Sequence, residues 1–538
     1  MMNQFTEEAG GRGSVQIPIL DREVTAEVTG DYSLPDYLPE IKRLLRIRPS
    51  LLPPNRFAGR DSVGLSGALD YYVMYMGQDG GVYCAPLAAE YRLDAESDGG
   101  DRSLSAMAEE PFLCLCDATA DPPVGRVTAP RRLNIRCKIN ARVKLYGEFP
   151  TDPASEDPTT EKLTEAKEVS RLFWSMGEPV PLQDDIILSP AEGEWRVICA
   201  EGEAMVSEAT PTEGTVHCRG DVTLKLTLCP AEDAEAFASD TPSRRGAVPL
   251  TTLYRKIPFS TAVEIPGVTS ACSAAAWGYC TDISVQMEEG NIHAELSLVP
   301  EVRAQRNETV RYTRDLYSTK RTCSCAYTTS PTEVALRAQC GNFTMSDSIP
   351  LTDTELLPTD VITDVTMEAV PLELSTDPEK GRMKLTGICR CHLLLLRDGE
   401  YASVGQEFPF RYEMDGRPLT GNTELPANAP AYDGHVTILN CRARMDGERL
   451  GVDAELAVSL RIHTPAPMTA VSEVAFGEEV TRRRGEYVIC FPTPADSVWS
   501  VAKRYHAPVA ALTAANNLPG GMHPGSEESL EGVGYLIV

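Results

Sequence analysis

The sequence predicts a mainly β protein: three antiparallel β-rich repeats, sandwich or barrel-like, followed by a small βααβ module. Three observations lead there. Apolar and polar residues alternate with period two along most of the chain, one order of segments recurs three times, and helical spacing replaces the alternation only in the last fifty or so residues. A chain of 538 residues also exceeds one ordinary core, and roughly 150 residues per domain gives three or four domains.

The strands come first. In "VTLKLTLC" Val222, Leu224, Leu226 and Leu228 share one face, and Thr223, Lys225 and Thr227 the other. "INARVKLYG" sets Ile139, Ala141, Val143 and Leu145 against Asn140, Arg142 and Lys144. "AELAVSLRI" puts Ala454, Leu456, Val458, Leu460 and Ile462 on one side. Such strands are expected to keep one face in a core and the other in water. "MEEGN" at 287–291 and "RMDGER" at 444–449 have the composition of hairpin turns.

Each repeat runs from an alternating strand through a segment with proline and an aromatic residue to a closing hairpin. Pro86, Pro258 and Pro409 mark corresponding points. The expected domains are residues 14–150, 168–310 and 332–465, with the terminal module at 485–538. "PEIKRLL", with Pro39 at its start, reads as one turn of helix. The stretches 151–170 and 231–248, rich in acids, Pro, Ser and Thr, read as solvated linkers.

Charge and cysteine content narrow the function classes. A net charge of −28 repels nucleic acid and anionic lipid, so neither is an expected partner. The opening "MMNQFTEEAGGRGSVQ" lacks the basic and apolar regions of a signal peptide, and no apolar run is long enough to cross a membrane, so a cytoplasmic protein is expected. The 16 cysteines are then expected as thiols. The pairs Cys114/Cys116, Cys323/Cys325 and Cys389/Cys391 place both members on one face of a strand, where they serve as small apolar fillers rather than a metal site. None of the seven histidines falls in a catalytic or metal-binding motif, so neither an enzyme nor a cofactor is expected.

The terminal module is the most specific stretch. "YVIC" is a short strand. "PADSVWSVAKRY" supplies Asp496 or Ser497 as a helix cap, with Val498, Val501, Ala502 and Tyr505 at helical spacing. "PVAALTAANNL" starts a second helix at Pro508 and stops it at Asn516 and Asn517, and "GYLIV" is a closing strand. These residues resemble the LysM domain, in the order "ADSVWSVAKRY", "AANNL", "GYLIV". Ala495 stands where that family usually has glycine, and the loop "PGGMHPGSEESLEGV" is longer and more acidic than its counterparts. The resemblance implies a shallow groove lined by Asp496, Ser497, Val498, Asn517, Leu518 and Pro519, with Trp499 and Tyr505 in the module's core.

The three β-rich repeats, above all "DYSLPDYLPEIKRLLRI" and "YRKIPFSTAVEIPG", resemble SPOCS domains. Together with a terminal LysM-like module, the chain resembles the SipL family of spore morphogenesis proteins. That resemblance implies a non-enzymatic scaffold in the mother-cell cytoplasm, at the forespore surface. Its partner would be the ATPase that polymerises as the basement layer of the spore coat. The alternative is a binder of peptidoglycan or chitin-like N-acetylglucosamine polymers, with the β-repeats as a stalk.

Overall fold

A computed structural model describes residues 14–97, 107–152, 157–188, 195–230, 250–288, 290–377, 381–415, 430–480, 488–518, 530 and 533–538. The chain is mainly β and its sheets are antiparallel. The first group of strands comprises β1 (Ser14–Ser33), β2 (Ile41–Leu51), β3 (Asn55–Ala58), β4 (Ser62–Gly77), β5 (Val82–Glu96), β6 (Glu109–Ala120), β7 (Val124–Ala129) and β8 (Arg132–Pro150). After a separate strand β9 (Thr160–Met176) comes a second group: β10 (Val180–Ile187), β11 (Trp195–Thr212), β12 (Thr215–Pro230), β13 (Thr251–Glu264), β14 (Ser273–Glu288) and β15 (Asn291–Ser318). Next is β16 (Arg321–Ser330), and then a third group: β17 (Glu333–Pro350), β18 (Val361–Asp377), β19 (Arg382–Arg397), β20 (Glu400–Asp415), β21 (Ala431–Asp446) and β22 (Arg449–Pro465). β23 (Met468–Glu479) leads to the terminal module.

In the second and third groups the first and penultimate strands flank the last, in the orders β10-β15-β14 and β17-β22-β21; in the first group β1 and β6 flank β8, and the short β7 pairs with β8 as well. The strands between them make a second sheet, β2-β4-β5, β11-β12-β13 and β18-β19-β20. Each pair of sheets closes over one apolar core. Pro86, Pro258 and Pro409 lie in β5, β13 and β20, each an outer strand of its sheet, where a missing N–H breaks no ladder. Gly290 and Gly447, with φ of +80° and +59°, form the turns before β15 and β22.

The groups are fused rather than strung as beads. β15 runs 28 residues, and its second half leaves the second group to pair with β9. β16 pairs with β23. Val169 of β9, Val310 and Tyr312 of β15, and Met468 and Ala470 of β23 are buried in the first group's core.

Three expectations are corrected. Residues 41–45, expected as helix, belong to strand β2. Register shifts at Ile41/Arg43 and Leu44/Arg46 break the alternation there, so Ile41, Leu44 and Leu45 imitate helical spacing. Residues 160–170, expected as linker, belong to strand β9, whose Leu163 and Val169 are buried; the other proposed linker, 231–248, lies outside the described residues. The third correction concerns the polar faces of the strands. Thr223, Lys225 and Thr227 are at most 8% exposed, and Lys144 and Arg461 are buried too. Their faces abut neighbouring groups instead of water.

Buried charge at those junctions is paired. Asp364 of the third group accepts from Arg46 Nη1 of the first at 2.5 Å, and from Lys225 Nζ and Thr252 Oγ1 of the second at 2.9 and 3.0 Å. Burial opposes the Asp364 charge, but Arg46 and Lys225 outweigh it and hold the carboxyl at about 2. Glu301 accepts two 2.8 Å bonds from Arg56, one from Trp174 Nε1 at 2.9 Å and one from Tyr279 at 3.1 Å. Asp433 pairs with Lys144 at 2.8 Å and with Arg461, whose Nη1 reaches Glu333 at 3.1 Å.

Candidate functional site

The terminal module carries strand β24 (Ile489–Cys490), helix α1 (Val498–Arg504), helix α2 (Val509–Ala515) and strand β25 (Leu536–Ile537). Ser497 is the cap of α1. Its Oγ accepts from Ser500 N at 3.1 Å while Ser500 Oγ accepts from Ser497 N at 2.9 Å, a reciprocal pair that satisfies two otherwise orphaned amides. Val498, Trp499, Val501 and Ala502 are buried, together with Cys490, Val509, Leu512, Leu530 and Leu536. Tyr505 caps the C-terminal end of α1 and is half-buried.

Asp496 organises the loop ahead of α1. Its carboxylate accepts from Thr493 N at 2.8 Å and Thr493 Oγ1 at 2.9 Å, and it pairs with Arg504. The Thr493 backbone and hydroxyl bonds, aided by Arg504, hold the carboxyl down at about 2. Its backbone oxygen also accepts from Leu530 N at 3.2 Å. Asn516 does more than end α2: its Nδ2 donates to Ile537 O at 2.8 Å and its Oδ1 accepts from Ile537 N at 2.6 Å, fastening the last strand to the helix. Asn517, with φ +48°, is left-handed and exposed. Leu518 is half-buried, and Pro519 lies outside the described residues. Of the proposed groove, then, Asp496, Ser497 and Val498 are spent on internal structure, Leu518 packs half-buried against the module's core, and Asn517 is exposed.

The module is seated on the β-body, a contact that sequence spacing did not indicate. Its receptor is the far end of β15. A register shift between Thr313 and Asp315 turns Asp315 toward α1. Asp315 accepts from Trp499 Nε1 at 2.8 Å, from Lys503 Nζ at 2.6 and 2.8 Å, and from Tyr327 at 2.7 Å. Burial works against the Asp315 charge, but these donors prevail and lower its pKa. Tyr317 donates to Ala507 O at 2.7 Å and meets the Trp499 ring edge-on, centroids 5.0 Å apart. His506 Nδ1 lies 2.8 Å from Ser318 O. Asp315 and Tyr317 lie more than 180 residues before their partners in the terminal module, so no local pattern marks them.

The module's other face is open. Cys490 and Leu536 point inward, so their neighbours Ile489 and Ile537, which pair directly, point outward. Phe491 is 73% exposed, and Ile489 and Tyr535 are each 59% exposed. Among the described residues no group of His, Cys, Asp and Glu is placed to hold a metal ion, and no helix is long and apolar enough to cross a membrane.

No protein-family model matches the chain, and no curated protein or solved structure is significantly similar to it.

Proposed function

We propose that this protein is a scaffold of endospore coat assembly, working in the mother-cell cytoplasm at the forespore surface. In this reading the three strand groups are SPOCS-like repeats and the terminal module is a LysM-like domain. The module docks onto the coat basement-layer ATPase, and the β-body presents it rigidly. The observation that carries the reading is the division of the module into two faces. The side chains expected to line a sugar groove at Asp496, Ser497 and Val498 are engaged in caps, loop bonds and core packing. The outer sheet face instead offers Ile489, Phe491 and Tyr535, and exposed aromatic and aliphatic anchors of this kind are typical of protein contacts.

The test is binding by the full chain to the purified coat ATPase, run in parallel with sedimentation on peptidoglycan and chitin. Saturable ATPase binding that is lost in Phe491→Asp supports the scaffold. Glycan binding without ATPase binding replaces it with the sugar-binding reading.

A further inference from the structure

A cavity of about 480 Å3 opens where the three strand groups meet. That volume is in the range that houses small ligands and single anchoring side chains. β2 and the β6–β7 connection form one wall, β18 and β21 the other, and β11 contributes Glu203. Leu44, Ile47, Met367 and Ile438 supply apolar surface.

The charges around it do not balance. Arg46, Arg48 and Lys225 meet Glu201, Glu203 and Asp364 in one continuous network. Arg46 reaches Glu201 at 3.6 Å and Asp364 at 2.5 Å, Arg48 reaches Glu201 at 2.7 Å and also Glu203, and Lys225 reaches Asp364 at 2.9 Å. Three cations therefore answer three carboxylates. Glu368 is left over. It lines the cavity, half-buried, with no ion pair or hydrogen bond among the described residues. Arg390, opposite it across the β18–β19 ladder, is turned to Glu407 at 3.5 Å. Burial raises the Glu368 pKa, Arg390 and, more weakly, Arg48 oppose the rise without forming an ion pair with it, and Asp121 adds to it. A half-desolvated carboxylate beside apolar walls is stabilised by an incoming cation. The net charge of −28 favours the approach of such a ligand.

We propose that this cavity binds an apolar body bearing one ammonium group, with the cation on Glu368 and the hydrocarbon against Leu44, Ile47, Met367 and Ile438. The same chemistry is offered by a free amphipathic amine and by a lysine flanked by apolar residues in a partner peptide.

The experiment is calorimetric titration of the full chain with phenylbutylamine and with its neutral counterpart phenylbutanol. A charge-assisted contact makes the amine bind about 10-fold tighter or more. Glu368→Gln should reduce that ratio to about one while melting unchanged, because Glu368 belongs to no ion pair. Thr366→Trp, which adds bulk on the cavity side of β18, should weaken both ligands. Equal binding of amine and alcohol, or an amine preference that survives in Glu368→Gln, overturns the proposal. If Glu368→Gln does not fold, undiminished amine binding by Thr366→Trp overturns it instead. A capped Leu-Lys-Leu peptide, compared with Leu-Gln-Leu, separates the sources. Tighter binding than the free amine assigns the cavity to a partner's side chain, and weaker binding to a small amine.

Discussion

Removing the Trp499 side chain tests whether the terminal module is held by the β-body. Trp499 is 5% exposed, its ring meets Tyr317, and its indole N–H donates to the Asp315 carboxylate at 2.8 Å. Truncating a buried tryptophan to alanine costs about 3–5 kcal/mol. The hydrogen bond to a charged acceptor accounts for about 1.5–3 kcal/mol of that. Trp499→Phe keeps an aromatic ring near Tyr317 and loses the donor, so it should cost only the latter share. The assay is native-state hydrogen exchange on the full chain, read at the amides of α1 and α2. A loss of about 3 kcal/mol accelerates exchange there on the order of 100-fold. Amides of β4, β12 and β19, in the cores of the three strand groups, should be unaffected. Asp315→Asn should reproduce much of the Trp499→Phe effect, and the double variant should fall short of the sum because both changes break one contact. Unchanged exchange in α1 of Trp499→Ala would refute the core assignment. Full additivity of Asp315→Asn and Trp499→Phe would refute the contact.

Other consequences follow from the junctions and the open face. Asp364→Ala strands Arg46 and Lys225 without their shared carboxylate, and urea unfolding should show a loss of about 3–5 kcal/mol. The protein should also be acid-labile. Asp364, at about 2, and Glu333 and Asp433, both lowered, have folded pKa values below their unfolded ones. Their stabilisation is complete above the unfolded carboxylate range and is lost as pH falls through about 4 toward 2. Burial and Arg461 lower the His463 pKa, with Glu333 opposing, so its contribution has the same sign and starts to fade below about pH 6.5. Melting temperature should therefore fall from mildly acidic pH downward, and a melting temperature flat from pH 7 to 3 would contradict the pairing. Phe491→Asp changes an exposed residue and should leave melting within about 0.5 kcal/mol of wild type, while under the proposed scaffold role it abolishes binding of the coat ATPase. Leu518 is half-buried against the module's core, so Leu518→Arg should lower stability by about 0.5–3 kcal/mol.

Legibility in the sequence tracks how local each feature is. The strands around Val222, Ile139 and Ala454 were readable because a period of two is set by the backbone of each strand alone. A helix cap at Asp496 or Ser497, which proves to be Ser497, and the helical spacing of Val498, Val501 and Ala502 were readable for the same reason. β2 was misread because two bulges shift its apolar residues off the period, and a bulge is set by the partner strand. β9 was misread because its acids and threonines describe its exposed face, whereas its place in a sheet depends on the long extension of β15.

The chain by itself determined that alternating segments would form antiparallel sheets and that two short helices would follow. Both depend on residues a few positions apart. Tertiary structure decided where each second face went. Lys144, Lys225 and Arg461 look like solvent-facing residues in their own strands, yet all three are buried: Lys144 and Lys225 each meet an acid of another strand group, and Arg461 pairs with Asp433 across its own ladder while donating to Tyr146 of the first group. The same applies to Asp315 under Trp499 and to Glu368, which lines the central cavity without an ion pair among the described residues. A local pattern records which side of a strand a residue takes, but only the packing of the groups decides whether that side meets water, a partner charge or neither.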